Sequence, residues 1–296
     1  MELLHLRNNE IDFERWDTAI SNAYNSIAYA FSWYLDVVSP NWEALVTSDY
    51  KYVMPLPVKT KYKIPYLVQP ALTQQLGVFS DNKISRETID IFIKEIPYYS
   101  YEINLNAENY SDKATAFPNL MLDLQDIYDD IRNHYSKNTI RNIEKAEKLN
   151  LQIQFGIPKK KFIELYNETK KNYHVVKTEL LETLIEIGIE NKQIEIAGVY
   201  SNENKLIAAG CFLISGERII NLLPVSNNEG KSSSAMFLLI NTLIQRNCNQ
   251  QKWLDFEGSR IEGVLRFYRG FGAENQPYYV LKRLRPSFII NKMQTK

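Results

Sequence analysis

Metal chemistry has little to work with in this chain. Only three histidines and two cysteines occur in 296 residues. His5, His134 and His174 are scattered, no two at the three- or four-residue spacing of one helix face and none beside a cysteine, so no metal site is expected. Cys211 and Cys248 each sit in an apolar segment, which offers no disulfide framework and fits a reducing cytoplasm. Neither sign of charge is in excess: Lys+Arg and Asp+Glu are both 35, so no global field draws nucleic acid or an anionic surface, and general nucleic-acid binding is disfavoured. The opening stretch "MELLHLRNNEIDFERW" has no apolar run of signal-peptide length. The most apolar helical stretch, "SSAMFLLINTLIQ", is too short to span a bilayer and reads as a buried core helix. A cytoplasmic protein without a transmembrane segment is the expectation.

What is present is two domains' worth of ordinary globular sequence, with 45% hydrophobic and 24% charged residues. Glycine is scarce, 11 in all, yet Gly258, Gly263, Gly270 and Gly272 fall within "DFEGSRIEGVLRFYRGFG", interleaved with Arg260, Arg266 and Arg269. Upstream of it the periodicity gives "LNLQIQF" as a strand and "KKKFIELYNETKKNY" and "KTELLETLIEIGIEN" as amphipathic helices. "QIEIAGVY", "LIAAGCFLI" and "RIINLLPV" are joined by short polar turns and should form an antiparallel meander. A loop, the apolar helix, the strand "KWLDF", a helix over about 261–269 and a last strand "PYYVLKRL" complete a β-α-α-β-β-β-α-β-α-β order. "KWLDF" is expected to lie parallel to "RIINLLPV" in a sheet that includes the last strand.

The first half repeats that order more weakly, with helices near 11–24 and 31–38, strands "WEALVTS", "YVMPLPVK" and "YLVQP", a helix "SRETIDIFIKEI" and a strand "YEINLN". The nearest internal match sets "QPALTQQLGVF" beside "LPVSNNEGKSS". Both put a proline at a strand end, paired amides after it and a glycine, Gly77 or Gly230, before the helix. A diverged duplication follows, with domains at 1–135 and 136–296.

Two basic features point to anions. In "SKNTIRNIEKAEK", capped by Ser136, residues Lys137, Arg141, Lys145 and Lys148 share one helical side, either as a solvated face or as a stripe that meets phosphates. "NNEGKSSSAMF" lacks the first glycine of a P-loop because Val225 stands there. What remains is a strand, a polar loop and a helix start, where Gly230, Lys231, Ser232 and Ser233 are either a structural cap or an anion site. "GFGAEN" has Asn275 in place of the last glycine of a dinucleotide fingerprint, and no dinucleotide fold is supported.

The second-half order resembles the GNAT acyltransferase fold, and the duplication resembles the Fem family of peptidyl transferases. "YSKNTIRNIEKAEKLNLQIQFG" is similar to the helix that opens the second Fem domain. "WLDFEGSRIEGVLRFYRGFG" is similar to that family's strand end and glycine turn. "AFSWYLDVV" and "QPALTQQLGVF" resemble GNAT-like proteins near the family. The resemblance implies a mixed α+β fold of two tandem GNAT-like domains, each a largely antiparallel sheet flanked by helices. The first would be structural or acceptor-binding, the second would hold the donor, and the acceptor would lie in the cleft between them. It implies an N-acyltransferase that moves an acyl or aminoacyl group from acetyl-CoA, another acyl-CoA or aminoacyl-tRNA to an amine. That amine would belong to a cell-envelope precursor or a small molecule. Donor contacts would come from Gly230, Lys231, Ser232, Ser233, Arg266 and Arg269, and acceptor contacts from Trp33, Tyr34, Gln74, Gln75 and Arg141.

Where the Fem turn carries a lysine, this chain has Tyr268. Tyrosine supplies no fixed positive charge at neutral pH, but its hydroxyl can protonate a leaving group. Acyl transfer to an amine also needs a base. Asp255 and Glu257, at the end of "KWLDFEG", are the candidates; the other readings make Asp255 a helix cap and Glu257 a partner of Arg260. The alternative function is a catalytically silent GNAT pair that binds a ligand or a partner protein.

Overall fold

Several strands in this chain stop where asparagine, glycine or proline breaks the alternation of apolar and polar residues, as at Pro57, Asn106, Pro118, Gly156, Gly216 and Asn227. The computed structural model describes residues 1–169, 176–259 and 261–284. It divides into two compact units, Met1–Phe117 with the segment that begins at Pro277, and Pro118–Gln276.

The first unit holds strands β1 (Leu4–Leu6), β2 (Glu43–Val46), β3 (Tyr52–Leu56), β4 (Val58–Lys61), β5 (Ile64–Val68), β6 (Phe79–Ser80), β7 (Tyr101–Leu105) and β8 (Ala114–Phe117). Its helices are α1 (Phe13–Asn22), α2 (Ser32–Val38) and α3 (Arg86–Glu95). The run "YVMPLPVK" is two strands, because Pro57 has no N–H to give a ladder. β3 belongs to an antiparallel sheet of order β1-β2-β3-β6, while β4 opens a second sheet of order β4-β5-β7-β16-β8, in which β16 is Tyr278–Arg283. Within that sheet β5 and β7 run parallel, and α3 lies in the connection between them. Ser85 caps α3 by accepting from Thr88 N, and Ile89, Phe92 and Ile93 pack on Leu67, Ile103 and Leu105.

The second unit runs β9 (Leu120–Asp123), α4 (Tyr128–Asn133), α5 (Lys137–Lys148), β10 (Gln152–Phe155), α6 (Lys159–Thr169), α7 (Thr178–Glu190), β11 (Ile194–Tyr200), β12 (Leu206–Ser215), β13 (Arg218–Ser226), α8 (Asn228–Ser232), α9 (Ala235–Asn247), β14 (Trp253–Asp255), α10 (Glu262–Arg269) and β15 (Glu274–Asn275). Its sheet has the order β10-β11-β12-β13-β14-β9-β15. The expected meander is there as β11–β12–β13, and the expected parallel pair is β13 with β14. Each unit is thus a mixed α/β layer with one parallel strand pair whose connection carries a helix. α9 is the buried core helix that the apolar stretch suggested, and its one buried polar side chain, Asn241, accepts from Tyr128 Oη of α4 at 2.9 Å.

Two segments depart from the expected division at 135/136. β9 lies in the second unit's sheet, beside β14, with Leu120 and Leu122 in that unit's core. β16, expected as the last strand of the second sheet, pairs instead with β7 and β8, and its Leu281 belongs to the first unit's core. The internal match is not repeated as structure either. After Pro224 the chain forms α8, whereas after Pro70 it makes a turn at Ala71 and Leu72 and runs without a helix through Gln74 and Gln75 to a bridge between Leu76 and Leu105.

Candidate active site

β13 carries an irregularity that shapes the site. Cys211 pairs with Leu223 and Phe212 with Asn221, so Leu222 is an extra, unpaired residue, a bulge that re-aims the side chains on either side of it. β14 follows β13 only as far as the pair Ile220–Asp255, while β13 continues to Ser226. Beyond that point a cavity of about 540 Å³ opens. Leu223, Pro224, Val225 and Ser226 of β13 line it, together with Lys231, Met236 and, from α10, Gly263, Val264, Phe267 and Tyr268.

α10 is placed by its apolar side. Leu265 and Tyr268 are buried, and the Tyr268 ring stacks on Phe256 at 4.6 Å between centroids. Arg266 and Arg269 face outward, as the helical spacing requires. Ile261, where the helix was expected to begin, precedes it and is exposed. Tyr268 is only 5% exposed, and its hydroxyl accepts from Asn221 Nδ2 at 2.9 Å. Burial, then the negative charge of Glu257, raise the phenol's pKa, while the Asn221 hydrogen bond works the other way; the net shift is upward. The side chain therefore keeps its proton at neutral pH, as a proton donor must.

Asp255 and Glu257 have different surroundings. Asp255 is fully buried, with Oδ1 accepting from Glu257 N at 2.8 Å and Oδ2 at 3.6 Å from Arg218 Nη1. Burial raises its pKa against the opposing pull of Arg218, the Glu257 amide and Asn119. Its hydrogen bond fixes the backbone of Glu257, which is left-handed at φ 57°. Gly270, which ends α10, is right-handed, and the left-handed backbone of this turn falls at Gly272, φ 83°. Gly270 is needed for space: a Cβ there would lie 2.4 Å from Thr139 Oγ1. Arg260, the other partner considered for Glu257, lies outside the described residues, as does His174.

The loop residues after β13 are held mainly by one another. Gly230 N donates to Asn227 Oδ1 at 3.0 Å, and the hydroxyls of Ser232 and Ser233 donate to Glu229 O at 3.0 and 2.8 Å. Gly230 sits against β12, where a Cβ would come 2.2 Å from Ile207 O. Of this group only Lys231 lines the cavity. Arg269 stands 3.6 Å from Glu262, and both it and Arg266 are exposed. From the basic stripe, Lys145 donates to Ser232 O at 2.6 Å and Arg141 to Asn138 Oδ1 at 3.0 Å.

The remaining candidates, Trp33, Tyr34, Gln74 and Gln75, belong to the first unit. Tyr34 is buried, donates to Leu72 O and meets Trp33 edge-on at 5.3 Å. Gln75 is buried and donates to Gln74 Oε1 at 2.7 Å. At Gly77 the space a phosphate would need holds the Asn109 side chain, whose Oδ1 accepts from Val78 N at 2.6 Å. A Cβ on Gly77 would lie 2.1 Å from that oxygen.

Sequence reasoning missed Asn221, Arg218 and Asn119. The one available signal for Asn221 was a lone amide in the apolar strand "RIINLLPV". A buried polar group in such a place needs a partner.

No family model matches the chain. Among curated proteins it is 31% identical over 90 residues to the sensor protein kinase WalK of Staphylococcus epidermidis, which is 30% of this chain and 15% of that protein's length. Among solved structures it is similar over 98% of its length to 99% of the FemX crystal structure, with a TM-score of 0.68 and 12% identity. It is similar over 95% of both chains to the C-terminal domain of a putative lysylphosphatidylglycerol synthetase from Agrobacterium fabrum, with a TM-score of 0.59 and 9% identity. A tandem GNAT protein from the clavulanic acid biosynthesis pathway matches over 96% of this chain and 99% of that one, with a TM-score of 0.50 and 11% identity. At such identities these likenesses speak for the fold: the chain is a tandem of GNAT-like mixed α/β sheets flanked by helices.

Proposed function

We propose that this chain is an N-acyltransferase that moves an acyl or aminoacyl group from a CoA thioester or an aminoacyl-tRNA to an amine of a cell-envelope precursor or small molecule. The observation that carries the reading is the cavity where β13 outruns β14, with the protonated Tyr268 on its wall. A strand end that opens beside a helix is where α/β sheets hold ligands, and Lys231 at its rim suits an anionic donor. In this reading the second unit holds the donor, and the first is structural or acceptor-binding.

The chemistry assigns one role to each group. The acceptor amine loses a proton to Glu257, attacks the acyl carbon, and the tetrahedral intermediate collapses as Tyr268 gives its proton to the leaving sulfur or ribose oxygen. Asp255, with no exposed surface, serves by fixing the Glu257 backbone instead of acting as the base. Arg266 and Arg269 supply positive charge for the donor's phosphates.

A second reading, a silent pair that only binds a ligand or partner, is favoured by the near-complete burial of Tyr268. Turnover separates the two. Radiolabelled acetyl-CoA, other acyl-CoAs and aminoacyl-tRNA are offered with a panel of amines, and transfer of label to amide is measured. Transfer by the intact chain, slowed at least about tenfold by Tyr268→Phe, is the expected result; binding without transfer for every donor assigns the silent role.

A further inference from the structure

The β4–β5 hairpin of the first unit carries features that acyl transfer does not use. Between Asp49 and Asp81 the sequence has no acidic residue, and the hairpin itself carries three lysines, Lys59, Lys61 and Lys63, in a chain whose charges balance overall. The pairs Lys59–Tyr66, Thr60–Pro65 and Lys61–Ile64 close the hairpin over a two-residue turn, Tyr62–Lys63. Both turn residues are left-handed, at φ 51° and 62°. Such a turn favours asparagine and glycine, and a bulky aromatic there is strained. The turn places Tyr62 at the very tip, 80% exposed, with Ile64 beyond it at 51%. Lys61 Nζ lies over the Tyr62 ring, 5.9 Å from its centroid.

A second exposed aromatic stands on the chain that runs beside β5. Leu67 N donates to Ser100 O at 3.1 Å, which brings β5 alongside the chain that leads into β7. Tyr99 there is 82% exposed. Arg283 donates to the carbonyls of Tyr98 and Tyr99, adding a cation to the same edge. The nearest acid on β7, Glu102, is held by Lys282 at 2.8 Å.

We infer that this hairpin is a docking finger for the surface of a bilayer that contains anionic phospholipid. Lysines attract the negative headgroup layer, at about fivefold in affinity for each one near the surface, and tyrosine is the aromatic that settles at the headgroup level. Ile64 favours lipid over a polynucleotide, since an aliphatic side chain beside an aromatic tip gains from the acyl boundary and nothing from phosphates. Among the described residues no helix is long and apolar enough to cross a membrane, and the contact inferred is that of the hairpin alone. The inference stands independently of acyl transfer.

The test is sedimentation of the full chain with sucrose-loaded vesicles of phosphatidylcholine, with and without about one third phosphatidylglycerol. Binding is expected only with phosphatidylglycerol and should weaken as salt rises. Lys59→Gln with Lys63→Gln should lower the partition coefficient about 25-fold, and Tyr62→Ser with Ile64→Ser about tenfold. Failure to bind, equal binding to both vesicles, or binding that survives both double substitutions overturns the inference. So does retention on RNA that tracks the lysine substitutions while lipid binding does not. Tyr62→Trp gives a second readout that leaves the lysines in place: its emission should shift to the blue on phosphatidylglycerol vesicles only, and no shift counts against the finger.

Discussion

Asn221 of β13 donates to the hydroxyl of Tyr268 on α10 across 2.9 Å, and both side chains are buried. The bond uses a phenol oxygen as acceptor and so leaves the phenol's proton for the cavity that Tyr268 lines. Asn221 Oδ1 has no hydrogen-bond partner among the described residues. A bulge that aims an amide at one hydroxyl, at the cost of an unsatisfied oxygen, is the arrangement expected where side-chain direction matters more than stability.

Tyr268→Phe should therefore do two things. Turnover should fall at least about tenfold, the contribution of a modest general acid, with KM little changed. Stability should fall by about 1–3 kcal/mol, because the buried Asn221 amide loses its acceptor while the ring keeps its stack on Phe256. Steady-state kinetics and urea unfolding check the two arms. A variant that turns over normally leaves Tyr268 with a packing role alone.

Gly230→Ala separates packing from phosphate binding at the loop after β13. The new Cβ would meet the Ile207 carbonyl at 2.2 Å, and that atom is backbone, so the strand or α8 must move. A loss of about 1–3 kcal/mol in urea unfolding is expected, as for overpacking elsewhere. A variant as stable as the parent would show that the loop yields freely and that the glycine is kept for a ligand.

Asp255 makes stability depend on pH with a definite sign. Burial raises its pKa in the folded chain, so above the unfolded value of about 3.9 the folded state binds more protons than the unfolded one. The proton favours folding. Stability should therefore fall as pH rises from that value through the raised folded pKa. Asp255→Asn, which keeps the acceptor for Glu257 N, should flatten this decline and leave stability at neutral pH equal or higher. Melting curves between acid and neutral pH test it, and an unchanged slope contradicts the assignment.

Arg266→Ala and Arg269→Ala should each weaken donor binding a few-fold at low salt, and less at high salt, because both are exposed and screened. Titration calorimetry at two ionic strengths reads this directly. Neither should change the melting temperature, since the one ion pair involved among the described residues, Arg269 with Glu262, spans 3.6 Å at the surface.

Local signals in the sequence carried much of this architecture. The β11–β12–β13 meander and α9 were legible because polar turns and a continuous apolar stretch mark them. The parallel β13–β14 pair followed from the loop and helix between the two strands. β9 was not, since "LMLD" is too short to show a period and its partner, β14, is more than a hundred residues away in sequence. The exchange of β16 to the other sheet has the same cause: strand pairing over long separations leaves no local trace. Tyr268 could be placed from the helical spacing of Leu265 and Val264, whereas its partner Asn221 needed the bulge at Leu222 to reach it. The glycines of this turn divide their work in a way no local pattern shows: Gly272, not Gly270, takes the left-handed backbone, and Gly270 is kept for space against Thr139.

The central claim is that the acyl donor binds where β13 outruns β14. Hydrogen–deuterium exchange of the intact protein with acetyl-CoA, and in parallel with an aminoacyl-tRNA, tests it most directly. One of the two donors should slow exchange in residues 221–236 and 261–268 and leave the 74–79 segment unchanged, where Asn109 already fills the space beside Gly77. Protection at 74–79, or none at 221–236 with either donor, would contradict it.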